Sequence, residues 1–355
     1  MKIIMTNEII IAGRKIGIGL KPYIIAEMSA NHNGSLDRGF QIIDAAANAG
    51  ADAIKLQTYT ADDLTINHHG GMFDIADENS LWKGRNLYDL YKEAQTPAEW
   101  HKPLFEHAIK KNIACFTSVF SEDGVDFLEL LNVPAYKIAS FENNFHGLLK
   151  KVAKTGKPVI MSTGLISKED LLESVDVLKT AGCKSLILLK CTSTYPADPS
   201  LSNVQTIPDM QHIFDCPIGL SDHTPGIGTS IAAVALGACV IEKHFTLNRK
   251  DGGVDSAFSI NPDELKLLVR ESEQAFLSLG KISYEISPAE KKSIRFKRSV
   301  YVVKNIKKGE IFSKKNIRVI RPGDGLAPKY FDDIIGKKAK SDIPFGTPLN
   351  RELIS

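Results

Sequence analysis

The stretch CPIGLSDHTPGIGTSIAAVALGACVIEKHF, residues 216–245, decides how the rest of the chain is read. Two short apolar runs flank a segment with helical apolar spacing, GIGTSIAAVALGA, and each run leads into a histidine, His223 and His244. Taken as neighbouring parallel strands, the runs deliver both imidazoles side by side at their C-terminal ends, where α/β folds place their chemistry. A single histidine at the end of an apolar run is more often a hydrogen-bonded rim residue than a ligand. Two at matching strand ends point instead to an open metal site, short of the four N or S ligands of a closed structural zinc site.

Outward from this unit the same pattern repeats. Strand-like runs are expected at residues 23–27, 53–57, 113–117, 135–138, 158–161, 185–189, 217–220 and 240–242, with helical spacing between them and a last helix over 262–279. Eight strand–helix pairs in about 260 residues suit a (β/α)8 barrel, a TIM barrel. The open doubly wound sheet is the alternative, but the first turn, SANHNG, lacks a glycine-rich phosphate loop. Residues 1–22 carry the β-branched runs KIIM and EIIIAG, broken by Gly13, Gly17 and Gly19, and read as a hairpin capping the barrel of residues 23–280. The segment 68–90, rich in Gly, Asn and Asp, is expected to be a polar insertion outside the core. Residues 281–296 read as a polar linker, and 297–355 as a small, basic, β-rich domain that needs support from a partner surface.

Composition narrows the function classes. Of 355 residues, 44 are Lys or Arg and 42 Asp or Glu, so a net charge of +2 gives no reason to expect nucleic acid or a membrane surface as partner. No apolar run approaches the roughly 20 residues of a membrane helix. Neither is a signal peptide expected, since the apolar start is interrupted by Asn7 and Glu8. Five cysteines, odd in number and mostly inside apolar runs, read as reduced, buried thiols of a cytoplasmic protein.

In a barrel the polar residues at the strand ends converge on one mouth. That rule gathers Glu27, Lys55, Gln57, Thr117, Ser118, Lys137, Ser140, Glu142, Ser162, Thr163, Lys190, Ser193, Tyr195, Ser221, Asp222, His223, Glu242 and His244. Lys55, Lys137 and Lys190, with the hydroxyls of Ser118, Ser140 and Ser221, suit a small substrate bearing phosphate and carboxylate. His223 and His244 suit a divalent ion acting as Lewis acid. Glu27 and Glu142 are acid/base or sugar-hydroxyl candidates.

The motifs IAEMSANHNG, AIKLQTY, PAYKIASFE, GKPVIMSTG, KCTSTYP, GLSDHT and EKHF, in this order, resemble the sialic acid synthase family, and VVKNIKKGE and RPGDG resemble its C-terminal antifreeze-like (SAF) domain. YKIASFE, Ser193 in a position where the family has Asn, LYDLYKEAQTPAEWH and VDSAFS look like its pseudaminic acid synthase branch. The resemblance implies a transferase joining phosphoenolpyruvate, a sugar (2,4-diacetamido-2,4,6-trideoxy-L-altrose) and water to give pseudaminic acid and phosphate. The alternatives are an N-acetylneuraminate or legionaminate synthase and, more distantly, a Schiff-base aldolase using Lys55, Lys137 or Lys190.

Carried over to this sequence, the family's phosphoenolpyruvate contacts fall on Lys55, Ser118, Lys137, Ser140, Ser193 and Ser221. Its sugar contacts fall on Gln57, Tyr195, Asp255 and Arg321, and its metal ligands on His223 and His244. The resemblance also implies Mn2+, or Mg2+ or Co2+, and a domain-swapped homodimer in which Arg321 reaches into the other subunit's barrel.

Overall fold

The structure is a computed structural model that describes residues 8–355. The KIIM run of the expected hairpin lies outside the described residues. Two compact units divide the chain, one ending at Gly280 and the other beginning at Lys281.

The first unit is a closed barrel of eight parallel strands: β3 (Tyr23–Glu27), β4 (Ala53–Thr58), β5 (Ala114–Val119), β6 (Tyr136–Ile138), β7 (Val159–Ser162), β8 (Leu186–Cys191), β9 (Ile218–Asp222) and β10 (Val240–His244). They pair in chain order, and β10 closes on β3 in the register Val240↔Tyr23 to His244↔Glu27. The fold expectation therefore holds, and the open sheet is excluded. Strands β8, β9 and β10 each run two residues further toward the mouth than the apolar runs indicate, because the polar residues at their ends still pair with the neighbouring strand.

Period-two alternation sorts each strand between two environments. Ile24, Ala26, Ile54, Leu56, Met161, Leu186, Leu188, Ile218, Leu220 and Ile241 face outward into the layer shared with the helices. Ile25, Ala53, Phe116, Ala135, Ile160, Ile187, Leu189 and Val240 face inward and fill the lower barrel. The hairpin of β1 (Glu8–Ile11) and β2 (Arg14–Gly17) turns through Ala12 and Gly13, both with positive φ, and its Ile9, Ile11 and Ile16 join that inner cluster. The helices carry local start signals. Ser35 caps Leu36–Ala49 by accepting from the Arg38 amide, and Asn261 with Glu264 forms a capping box on Pro262–Leu279.

The insertion 68–90 departs from expectation. Leu87–Ala94 is a helix with Leu90 and Ala94 buried, and residues 74–86 form a loop closed at its neck by an Asp74–Asn86 bridge. The Asn86 amide, placed against the His68 and Phe73 carbonyls and the Asp74 carboxylate, supplies local order that a polar composition conceals.

In the second unit, β11 (Ser299–Val302) and β12 (Ile317–Ile320) pair antiparallel, and isolated bridges add short pairings. Val300, Val302, Ile306, Phe312, Ile317, Ile343 and Leu349 give this unit an apolar core of its own. No helix among the described residues is long and apolar enough to cross a membrane.

Candidate active site

The inward face changes character toward the mouth. Below lie Ile25, Ala53 and Phe116, and above them on the same faces stand Glu27, Lys55 and Ser118. Lys55 pairs with Glu27, donates to Ser118 Oγ at 2.8 Å and lies 3.8 Å from Glu242. Lys137 donates to Ser162 Oγ at 2.6 Å and lies 3.6 Å from Glu242, whose Oε1 accepts from Ser221 at 3.1 Å. Glu242 thus links both lysines and Ser221. Sequence reasoning placed it in the mouth without a role.

All four charged groups are buried. Burial draws Lys55 down, but the Glu242 and Glu27 carboxylates outweigh it and hold the ammonium above its ordinary range. For Lys137 burial wins over Glu242, and its pKa is lowered. Burial also pushes Glu27 up against the pull of Lys55, whereas Lys137 and Lys55 overcome burial at Glu242 and keep it low. A buried ion pair stands only when its remaining valences are met. Glu27 Oε1 and Glu242 Oε2 have no hydrogen-bond partner, so the floor presents unused acceptors to whatever enters.

The two histidine rings sit 5.4 Å apart, centroid to centroid. His223 Nδ1 lies 3.0 Å from the Thr192 carbonyl, which fixes the proton on that nitrogen and leaves Nε2 free. His244 Nδ1 is buried without a hydrogen-bond partner, and burial holds its pKa well below the ordinary imidazole range, which favours the neutral form. One committed and one orphaned imidazole fit a divalent cation with open positions. Among the described residues no group of three or more His, Cys, Asp or Glu is placed to hold a metal.

Outside the floor opens a cleft of about 500 Å³, lined by Gln57, Glu142, Ser193, Tyr195, His244 and Asp255 among the expected residues. Burial raises the Glu142 carboxyl to about 7, and its Oε2 has no partner. Asp255 is buried, accepts from Ser29 Oγ, and is raised by that burial. Ser140 and Ser193 stand at the boundary between cleft and floor, packed against Gly164. Ser140 Oγ accepts from the Gly164 amide at 3.1 Å, and a Cβ on that glycine would lie 2.2 Å from Ser193 Oγ.

Three expected mouth residues turn away. Lys190 shares the outward face of Leu186 and Leu188, Asp222 pairs at 2.9 Å with outward Lys243, and Thr117 Oγ1 bonds Thr58 at 2.7 Å on the helix side. Each lies one residue out of phase with an inward neighbour. Arg321 belongs to the second unit, directly after β12, and is exposed there.

Two contributors escaped sequence reasoning. Cys191, read only as a reduced, buried thiol, is in phase with Ile187 and Leu189 and lies 3.5 Å from Ser193 Oγ and 3.9 Å from His223 Nδ1. Burial pushes its thiol up, but hydrogen bonds with His223, Ser140 and Ser193 help bring it down to about 6. Strand phase alone could have found it. The other is the cleft wall of Ile75, Trp82, Leu87, Leu90 and Tyr91, signalled only by the helical spacing of its last three members.

Known proteins share this architecture. The chain matches the NeuB family over residues 42–284 and the SAF domain over 297–353. A pseudaminic acid synthase of Campylobacter jejuni subsp. jejuni is 45% identical over 331 residues, 93% of this chain and 96% of that protein. The N,N'-diacetyllegionaminic acid synthase of the same organism is 36% identical over 327 residues, 90% of this chain and 96% of that protein. The crystal structure of an N-acetylneuraminic acid synthetase from Leptospira borgpetersenii, in complex with citrate, superposes with a TM-score of 0.72 at 34% identity, covering 82% of this chain and 96% of that one. With its barrel and its C-terminal unit both matched, the chain is an enzyme that belongs to the NeuB family and carries a SAF domain.

Proposed function

We propose that the chain is a pseudaminic acid synthase, condensing phosphoenolpyruvate with 2,4-diacetamido-2,4,6-trideoxy-L-altrose and water to give pseudaminic acid and phosphate. The observation that carries the reading is the 45% identity to a synthase of that name over nearly the whole chain, against 36% to the legionaminic acid synthase of the same organism.

The residues take their roles from the two zones. Lys55 and Lys137, with Ser118, Ser140, Ser193 and Ser221, hold the phosphate and carboxylate of phosphoenolpyruvate through charge-assisted bonds in a site of low dielectric. Gln57, Tyr195 and Asp255 orient the sugar, with Arg321 of the partner subunit entering from its SAF domain in a domain-swapped homodimer. His223 and His244 would hold a divalent cation, Mn2+ ahead of Mg2+ or Co2+, which would polarise the sugar aldehyde.

C3 of phosphoenolpyruvate bonds to the aldehyde carbon, water adds at C2, and the C2–O bond breaks to release phosphate. Glu27, paired with Lys55 and in register with His244, is the proton-transfer group. Glu142 faces the sugar cleft and bonds the sugar. The five free, buried cysteines favour a cytoplasmic setting. A Schiff-base aldolase is the second reading, favoured at one position only, the buried amine of Lys137 with its lowered pKa.

Phosphate release decides between these. With Mn2+ and phosphoenolpyruvate, the altrose sugar is expected to release phosphate, and EDTA or His244→Ala to abolish it. Release with N-acetylmannosamine but not with the altrose sugar overturns the assignment. Borohydride trapping of Lys137 with pyruvate would establish the aldolase instead.

A further inference from the structure

The cleft above the floor is lined by two unlike kinds of surface. Gln57, Glu142 and Asp255 supply the polar one. The other comes from the insertion, as Ile75, Leu87 and Trp82. Trp82 has one polar side-chain atom, and it is already used: Nε1 donates to the Val254 carbonyl at 2.9 Å, tying the loop to the segment that carries Asp255. Its ring lies 6.0 Å from Tyr195 and 6.5 Å from Phe258. What remains for a ligand is hydrocarbon and π surface with no donor or acceptor. A methyl group placed there gains apolar contact, whereas a hydroxyl loses its water without replacement.

We propose that Trp82 is a specificity-determining residue that reads an apolar edge of the sugar, a deoxy or acetamido methyl, and disfavours a hydroxyl at that edge. The inference rests on the functional reading above and adds to it the side of the site that selects a deoxygenated, N-acetylated sugar over a fully hydroxylated one. Trp82 acts on the sugar half only, because the cleft lining stops short of Lys55 and Lys137.

The test compares wild type, Trp82→Phe and Trp82→Ala in steady-state phosphate release, using the 2,4-diacetamido-2,4,6-trideoxy sugar and its 6-hydroxy analogue. Trp82→Ala is expected to raise KM for the trideoxy sugar about tenfold or more and to lower its kcat/KM preference over the 6-hydroxy sugar about tenfold, the scale of one methyl group in an apolar pocket. KM for phosphoenolpyruvate should stay within about twofold, and Trp82→Phe should keep most of the preference. An unchanged preference ratio in Trp82→Ala overturns the inference. Should Trp82→Ala fail to fold by circular dichroism, Ile75→Thr, which adds a hydroxyl to the same wall, is read by the same ratio. Wild type that rejects the trideoxy sugar overturns the functional reading, and the ratio for N-acetylmannosamine against its 6-deoxy analogue then decides the role of Trp82.

Discussion

The floor of the barrel and the cleft above it share one mouth yet are built from opposite materials. The floor is a closed set of charges, Glu27, Lys55, Lys137 and Glu242, carried on strands and locked by Ser118, Ser162 and Ser221. The apolar cleft wall is carried on the helix Leu87–Ala94 and on the loop before it, whose neck is tied at Asn86 and whose far side is tied at Trp82. The difference divides the work. Groups that meet developing charge need fixed positions, which strands supply. Groups that choose among sugars need a surface that can vary without disturbing the barrel, which a loop supplies.

The largest effect should come from breaking the floor. Lys137→Met takes from buried Glu242 the nearer of its two lysines, leaving Lys55 at 3.8 Å and the Ser221 hydroxyl, and such a loss costs about 3–5 kcal/mol. Urea unfolding should show that loss, and kcat/KM should fall about 10³-fold. The double variant Lys137→Met/Glu242→Gln should recover much of the stability and none of the activity. A single variant as stable as wild type would show that the floor is not a closed charge set.

A smaller effect is expected at the boundary. Gly164→Ala puts a methyl 2.2 Å from Ser193 Oγ and 2.8 Å from Ser140 Oγ, so both serines must move, at about 1–3 kcal/mol. If these serines serve the phosphoenolpyruvate half, KM for that substrate should rise several-fold more than KM for the sugar. An equal rise in both would erase the boundary between floor and cleft.

The smallest effect belongs to Glu142 in the cleft. Burial raises its carboxyl from 4.5 to about 7, so the folded state binds the proton more tightly than the unfolded chain does. The stabilisation is therefore complete below 4.5 and disappears as pH rises toward 7. Relative to Glu142→Gln, wild type should lose about 2–4 °C in Tm between pH 5 and pH 8, the size of a ~1 kcal/mol effect. A difference that stays constant with pH would mean that the carboxyl is solvated.

How much of this was legible in the sequence follows from the range of the forces involved. Alternation along a strand and helical spacing are local, so eight strands, their helices and the histidines at the ends of β9 and β10 could be read directly, and barrel closure confirmed them. Side-chain phase past the apolar run was lost where the strands continued, which is why Lys190 and Asp222 were placed in the mouth and Cys191 was not. Of the three lysines the sequence offered to an anion, Lys55 and Lys137 stand in the floor. Only the tertiary structure decided that they are already matched by two carboxylates from the first and last barrel strands, because a pairing between Glu27, Lys55 and Glu242 exists only once β10 closes on β3. Before its helix the insertion 68–90 has no repeating period, and its order comes from hydrogen bonds made by Asn86 within the insertion and by Trp82 to the distant Val254 carbonyl, so its place as a cleft wall was set by the folded chain.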